Sequence, residues 1–255
     1  MSLHYLTVGE GDTPLLLIHG LFGSADNWRG IARKLSGSRQ VISVDLRNHG
    51  RSFQHPQQSY PLMAADIAEV LDKLGLEQAD VLGHSIGGKV AMQFANDYNS
   101  RLSKLIVVDI APRQYADSHS QIIKSLMAVN LAQCEQRSDA DQALAKFIPD
   151  KAIRSFLLMN LAMQDGQLDW RINLENLFCN YPALLQPVAL AETIQQPALF
   201  ISGGDSDYIG SDDRRQIRQL FSNARLLRIA NAGHWVHADQ PAIFCQTVES
   251  FLNHD

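Results

Sequence analysis

The sequence has few cysteines, and their arrangement suggests neither a bridge nor a metal site. The three of them, Cys134, Cys179 and Cys245, are scattered and form no Cys-x-x-Cys pair. An odd, dispersed set is typical of a protein in a reducing compartment. We therefore expect a cytoplasmic protein with neither a structural disulfide nor a zinc site.

Positive charge is not in excess, and long apolar runs are absent. Lysine and arginine number 22 against 27 aspartate and glutamate residues, for a net charge of −5, which argues against binding to nucleic acid or an anionic membrane. No run approaches the roughly 18 apolar residues of a membrane span, and the N-terminal residues lack the basic-then-apolar pattern of a leader. We expect no nucleic-acid partner and no membrane association.

Short apolar runs alternate with longer segments of helical period. One of these segments is Met63–Leu74, in which Ile67, Val70, Leu71 and Leu74 share a face. The runs that read as strands are Leu15–His19, Val41–Asp45, Ala79–His84, Leu105–Ile110, Ala198–Ser202 and Arg225–Ala230. This alternation predicts an α/β fold with a mostly parallel, doubly wound sheet covered by helices on both faces. Functional side chains should then lie at the carboxyl ends of the strands.

The alternation is interrupted over residues 112–196. This stretch contains no convincing strand, and its helix-like segments are Gln121–Leu131, Ala140–Phe147 and Ile153–Leu161. We expect residues 1–111 and 197–255 to form the core, with 112–196 inserted as a helical cap over the strand ends. The alternative is that 112–196 is simply a run of surface helices.

Residues 83–87 read Gly-His-Ser-Ile-Gly, directly after the Ala79–Leu82 run and before a segment of helical spacing. Glycines two before and two after the serine permit a strained strand–turn–helix, which lifts Ser85 clear of the sheet. This pattern predicts a nucleophile elbow with Ser85 as the nucleophile and the Ile86 backbone N–H as one oxyanion donor. The alternative is an inert serine in a glycine-rich turn.

A serine nucleophile needs a histidine base, and in hydrolases with such an elbow the base comes last in the chain. Past the insertion the histidines are His234, His237 and His254. His234 directly follows the last predicted strand, where a loop can bring it over Ser85, whereas His237 lies further on and His254 is in the terminal tail. We expect His234 to be the base; the alternative is a surface loop histidine.

Two aspartates compete to orient His234. Asp109 ends the strand after the elbow helix, and Asp207 follows the strand after the insertion. Either aspartate can present a carboxylate to His234 Nδ1. Either could instead form hydrogen bonds to backbone N–H groups of its own turn. The spacing leaves both open.

Several motifs together resemble the α/β-hydrolase superfamily, and more narrowly the small bacterial acyl esterases of the YbfF type. They are His19–Ser24, Asp45–Ser52, Gly83–Gly88, Asp109–Pro112 and Gly233–Ala238. In that group the Asp-Ile-Ala-Pro aspartate is thought to be the acid, which implies Asp109, whereas many other α/β-hydrolases use the later loop and would imply Asp207. The resemblance also implies that the second oxyanion donor is the backbone of Leu21, with Phe22 next in line.

These residues predict a serine hydrolase that cleaves a small-molecule carboxylic ester or thioester through an acyl-enzyme, without a metal or organic cofactor. Alternatives on the same fold are a carbon–carbon hydrolase, a perhydrolase, or a lyase such as the pyruvate-eliminating enzyme of menaquinone synthesis. That lyase resembles Gly-Tyr-Ser-x-Gly-Gly-Arg at the elbow, whereas this chain has His84 and Lys89 there. A non-catalytic binding module is a further alternative. His19, His49 and His84 are interpreted as structural hydrogen-bonding residues.

Overall fold

The computed structural model describes residues 1–11 and 13–253, and in them a seven-stranded sheet has the order β1-β3-β2-β4-β5-β8-β9. Its strands are β1 (Tyr5–Val8), β2 (Leu15–Ile18), β3 (Val41–Val44), β4 (Ala79–His84), β5 (Leu102–Val108), β8 (Ala198–Gly203) and β9 (Ala224–Ile229). Neighbouring strands are parallel except β1, which pairs antiparallel with β3. The predicted mostly parallel α/β sheet is confirmed, and each of the predicted apolar runs is a strand.

Helices connect the strands and cover both faces of the sheet. They are α1 (Arg29–Leu35), α2 (Tyr60–Leu74), α3 (Ile86–Asp97), α4 (Ser120–Met127), α5 (Arg137–Ala145), α6 (Lys151–Leu157), α7 (Leu174–Leu184), α8 (Ser211–Leu220), α9 (Val236–Asp239) and α10 (Pro241–Asn253). In the described part of the chain no helix has both the length and the hydropathy needed to cross a bilayer.

Alternate residues of the central strands enter two separate cores, as the two-residue period of a strand requires. Leu16 and Ile18 of β2 pack with helices α2 and α3 on one face. Leu15 and Leu17 pack on the other face, where α1 and α10 lie. Because helices cover both faces of the sheet, the central strands can be reached only at their ends. The loops that carry polar side chains begin there.

The inserted segment, residues 112–196, contains a β-hairpin that the sequence interpretation missed. Strand β6 (Leu161–Gln164) pairs antiparallel with β7 (Gln167–Trp170), so the expectation of no strand in this segment was wrong. The turn residues Asp165 and Gly166 have positive φ angles of 49° and 83°. Positive φ at both central positions is the type I′ geometry that an Asp-Gly pair favours in two-residue hairpins.

Helices of the inserted segment lie where the periodicity predicted them, with shifted bounds, and α7 was not predicted. The carboxyl end of α7 is fixed to the core, since Tyr60 Oη donates to the Leu184 carbonyl at 2.5 Å. Lys89 Nζ donates to the Gln186 carbonyl at 2.6 Å. The first bond satisfies a carbonyl that the helix terminus leaves without a partner, and the second holds the chain just beyond the helix.

Candidate active site

Ser85 lies at the apex of a strained turn between β4 and α3. Its φ and ψ angles are 54° and −124°, a conformation that non-glycine residues rarely adopt. A Cβ on Gly83 would lie 2.0 Å from the Gly87 carbonyl oxygen, and one on Gly87 would lie 2.5 Å from the His19 and Ile18 carbonyl oxygens. Both flanking glycines are therefore required for the strand, the turn and the helix to approach this closely.

Asp109 and His234 are brought together by the ends of β5 and β9. Asp109 follows β5, and its Oδ2 atom lies 2.8 Å from His234 Nδ1 in the loop after β9. Because a carboxylate accepts this bond, Nδ1 carries the proton and Nε2 is left as the acceptor. Asp207 is exposed and makes no hydrogen bond with His234 in the described residues.

The Asp109 carboxylate is fully buried and receives two further donors. The Gly203 backbone N–H lies 3.0 Å from Oδ1, and Ser206 Oγ lies 2.5 Å from Oδ2. Asp109 itself has a positive φ of 52°, which turns its side chain toward the neighbouring strand β8. The three donors fix the carboxylate and, through it, the His234 ring.

Two aromatic rings contact the His234 ring, in addition to the Asp109 carboxylate at its edge. Tyr208 stacks on it with the ring centroids 3.8 Å apart, and the His84 ring lies 4.7 Å away. His84 Nε2 donates to the His234 carbonyl oxygen at 2.9 Å. Burial lowers the pKa of His84 well below its ordinary 6.5, so its ring is neutral and donates from one nitrogen only.

The loop after β2 faces Ser85 from the other side. The Gly23 N–H donates to the Gly20 carbonyl at 2.9 Å, which closes a turn whose central residues are Leu21 and Phe22, and Phe22 has a positive φ of 61°. Within the described residues the Leu21 backbone N–H has no protein acceptor. Ile86 is the first residue of α3, so its N–H has no acceptor inside the helix. The Phe22 N–H also has no acceptor in this part of the chain, so Leu21, Phe22 and Ile86 all offer free backbone donors around Ser85.

His19 holds this loop in place, as expected of a structural hydrogen-bonding residue. Its Nδ1–H donates to the Gly20 carbonyl at 2.7 Å, and its Nε2 accepts the Leu46 N–H at 3.0 Å. Burial lowers its pKa to about 4, so the ring is neutral. His49 is a second structural histidine, because its Nδ1–H donates to the Arg47 carbonyl at 3.0 Å.

Ser85 and His234 line a common cavity of about 100 Å³, which we call the catalytic cavity. The inserted segment supplies part of its wall through His119, Phe156 and Leu157. Ser85 Oγ makes no hydrogen bond within the described residues. Of the apolar residues of residues 112–196, Met127 and Met163 are exposed, and Leu126 is buried in the core.

Ser206, Asn160 and His119 are polar residues of the site that were not predicted. Ser206 contacts the Asp109 carboxylate, and Asn160 Nδ2 donates to the Phe22 carbonyl at 2.7 Å. His119 lines the catalytic cavity and lies 3.0 Å from the Tyr181 hydroxyl through its Nδ1. These contacts join residues 62 to 138 positions apart, so no local pattern in the sequence indicates them. His254, by contrast, lies outside the described residues.

A second and smaller cavity, of about 40 Å³, lies on the α3 side of Ser85, and we call it the tyrosine cavity. Its wall contains the residues Tyr60, Tyr115, Tyr181 and Tyr208, together with Lys89. The Lys89 ammonium lies 5.1 Å from the centre of the Tyr115 ring and 5.5 Å from that of Tyr60. Burial lowers the pKa of Lys89 to about 8.

Comparisons with known proteins show the family and the fold of the chain. The profile of the alpha/beta hydrolase fold family matches residues 13–241. The chain is 36% identical over 245 residues to esterase YbfF of Escherichia coli, covering 96% of this chain and 94% of that protein. It is 38% identical over 254 residues to sn-1-specific diacylglycerol lipase ABHD11 of Danio rerio, covering 96% of this chain and 80% of that protein. A solved structure described as a marine microorganism esterase superposes with a TM-score of 0.95 at 37% identity, covering 98% and 99% of the two chains.

Proposed function

The chain belongs to the alpha/beta hydrolase fold family and is an ester hydrolase, and we propose that Ser85, His234 and Asp109 are its catalytic triad. The observation that carries this proposal is the bond between His234 Nδ1 and Asp109 Oδ2, with Ser85 on a strained elbow in the same cavity. The esterase and lipase names of its relatives support the same class of substrate.

In the first step His234 Nε2 takes the proton of Ser85 as Oγ attacks the carbonyl carbon of the substrate. Asp109 holds Nδ1–H and stabilises the imidazolium that forms. The contact between the serine and the histidine commonly shortens when substrate binds. The strain at Ser85 keeps Oγ accessible in the cavity before this happens.

The oxyanion of the tetrahedral intermediate accepts hydrogen bonds from the Leu21 and Ile86 backbone N–H groups. The positive end of α3 adds to this stabilisation, and a donor of this kind contributes about 3 kcal/mol to the transition state. His234 then protonates the leaving oxygen, or the sulfur of a thioester, and an acyl-enzyme remains on Ser85. Water attacks the acyl-enzyme by the same route and releases the acid.

We further propose that residues 112–196 form a cap on a core of residues 1–111 and 197–255. The inserted segment places Ile122, Ile153 and Phe156 over the cavity that contains Ser85. A cap of this kind excludes water and shapes the pocket for the substrate.

A panel of p-nitrophenyl esters and acyl-CoA thioesters, run beside a carbon–carbon substrate, tests the function. We expect ester hydrolysis that is lost in Ser85→Ala, with thioesters cleaved by the same residues. Turnover of the carbon–carbon substrate with no ester hydrolysis would replace this function with the carbon–carbon hydrolase alternative.

A further inference from the structure

The catalytic cavity adjoins a larger one, which lies between α1 and the inserted segment. This outer cavity has a volume of about 500 Å³ and shares four lining residues with the catalytic cavity, Asn27, Phe156, Trp235 and His237. Phe156 and Trp235 lie with their ring centroids 5.6 Å apart where the two cavities meet. The two spaces therefore adjoin, with Phe156 and Trp235 between them, and a group that extends from Ser85 past these two rings would enter the outer cavity.

The wall of the outer cavity is largely apolar. Its apolar lining residues are Ile31, Ala152, Phe156, Met159, Trp235, Ala238 and Pro241. Its two carboxylates are already engaged. Asp26 pairs with Arg29 at 2.9 Å, and Asp239 Oδ2 accepts the Gly233 N–H at 2.8 Å. Lys34, Asn27 and His237 are the other polar side chains of this wall, and the apolar surface between them suits an aliphatic or aromatic group.

The direction of proton transfer indicates whether the acyl group or the alcohol of an ester lies toward the outer cavity. In the proposed reaction His234 Nε2 delivers a proton to the leaving oxygen, so that oxygen must lie on the side of His234. His234 and Trp235 line the catalytic cavity, and Trp235 also lines the outer cavity. The tyrosine cavity is lined by Leu21 and Ile86 and does not include His234 among its lining residues. The tyrosine cavity is therefore the space that remains for the acyl group of the substrate.

We infer that the outer cavity binds the apolar part of the leaving alcohol, and that the natural substrates are esters of a small acyl group with a large apolar alcohol. This inference rests on the proposed function. The small volume of the tyrosine cavity, about 40 Å³, limits the acyl group, whereas the alcohol has about 500 Å³ beyond the catalytic cavity.

Gly30 offers a way to fill the outer cavity without disturbing the fold. It lines that cavity, and a Cβ added to it would meet no atom within 4 Å. It lies inside α1, where any ordinary residue favours the helix more than glycine does. Gly37 is a matched control, because a Cβ added to it would also meet no atom of residues 1–11 and 13–253 within 4 Å, and it lines none of the three cavities.

The test compares Gly30→Phe and Gly37→Phe with the unchanged protein on two substrate pairs. Ethyl butyrate and octyl butyrate share the acyl group, whereas p-nitrophenyl butyrate and p-nitrophenyl octanoate share the leaving group. We expect the unchanged protein to prefer octyl to ethyl butyrate in kcat/KM, and Gly30→Phe to reduce that preference about tenfold or more. Gly37→Phe should leave it unchanged.

The deacylation rate distinguishes a blocked alcohol site from a general disturbance of the active site, because a general disturbance would slow deacylation as well. All butyrate esters form the same butyryl-enzyme, and the alcohol has left before water attacks. The rate of butyryl-enzyme breakdown in Gly30→Phe should therefore equal that of the unchanged protein, within about twofold.

Other outcomes overturn the inference. The outer cavity would be an acyl site if Gly30→Phe selectively impaired p-nitrophenyl octanoate or slowed deacylation. It would be no substrate site if octyl butyrate had no advantage in the unchanged protein, or if Gly30→Phe and Gly37→Phe behaved alike. Failure to hydrolyse any of the four esters would instead refute the proposed function, which separates the two claims.

Discussion

His234 Nδ1 lies 2.8 Å from Asp109 Oδ2, although the two residues are 125 positions apart in the chain. The strand β5 ends at Val108 and the loop after β9 carries His234, so the contact exists only when the whole sheet is assembled. The proposed base is thus oriented by the fold itself.

Replacing Ser85 with alanine should abolish esterase activity without unfolding the protein. The side chain makes no hydrogen bond within the described residues, so its loss removes the nucleophile and little else. We expect turnover of p-nitrophenyl butyrate to fall by about 10⁴ or more, with an unchanged melting temperature. His234→Ala should fall to a similar level, and a residual rate of several per cent in either variant would contradict the assignment.

The two aspartates should differ sharply when each is changed to asparagine. Asp109→Asn keeps the shape but removes the charged acceptor of His234 Nδ1–H, so we expect kcat to fall by up to about 10⁴. Asp207 is exposed and lies in a loop, so Asp207→Asn should retain most of the activity. Steady-state kinetics on one ester is enough to compare the two variants. A larger loss of kcat in Asp207→Asn than in Asp109→Asn would assign the role of the triad acid to Asp207.

Ser206 should act as a positioning residue for Asp109. Its hydroxyl donates to Asp109 Oδ2 at 2.5 Å, and a hydrogen bond to a charged group is typically worth about 1.5–3 kcal/mol. We expect Ser206→Ala to lower kcat/KM by about tenfold or more while the protein stays folded. Ser206→Thr keeps the hydroxyl and should restore most of the rate, whereas equal loss in both variants would indicate a packing defect.

The elbow glycine at position 87 should tolerate no side chain. A Cβ there would lie 2.5 Å from two backbone carbonyl oxygens, and neither can move without shifting β2. We expect Gly87→Ala to lower the free energy of unfolding by about 3 kcal/mol, at the upper end for overpacking. Gly37→Ala is the control, because its Cβ would meet nothing within 4 Å in the described part of the chain. Equal stability of the two variants in urea unfolding would show that the elbow is less crowded than described.

Acid should destabilise the protein through its buried histidines. Burial lowers the pKa of His237 from 6.5 to about 3, so the unfolded chain binds a proton between these values that the folded state does not. Stability from this residue is complete above pH 6.5 and is lost as the pH falls toward 3, by about 1.4 kcal/mol per pH unit.

His237→Phe should remove that part of the acid sensitivity. The His237 ring packs 4.4 Å from Trp28, and its buried Nδ1 has no hydrogen-bond partner among the described residues. Phenylalanine keeps the packing and removes the unpaired nitrogen, so stability at pH 7 should be equal or higher. Denaturant unfolding at several pH values checks this, and an unchanged slope below pH 6.5 would show that His237 does not titrate as described.

The sequence predicts the sheet and the elbow well because both are local patterns. Apolar runs such as Leu15–Ile18 are fully buried in parallel strands, and the glycines around Ser85 are needed for contacts within a few residues or with the adjacent strand. The hairpin at Asp165 and Gly166 has a local signal too, because an Asp-Gly pair favours a two-residue hairpin turn.

The choice between Asp109 and Asp207 could not be made from local pattern alone. Strands β5 and β8 are neighbours in the sheet, so both aspartates follow adjacent strands and both are near the same edge. The positive φ of Asp109 and the donors that hold its carboxylate decide the geometry. These depend on residues 94 and 97 positions away, Gly203 and Ser206.

Trapping the acyl-enzyme tests the central claim most directly. The protein is mixed with p-nitrophenyl butyrate, quenched with acid during turnover, digested and analysed by mass spectrometry, with Ser85→Ala treated in parallel. A butyryl group on Ser85 in the unchanged protein, absent from the variant, is the predicted result. Turnover with no covalent adduct, or with butyrate on another residue, would contradict the account of Ser85 as the nucleophile.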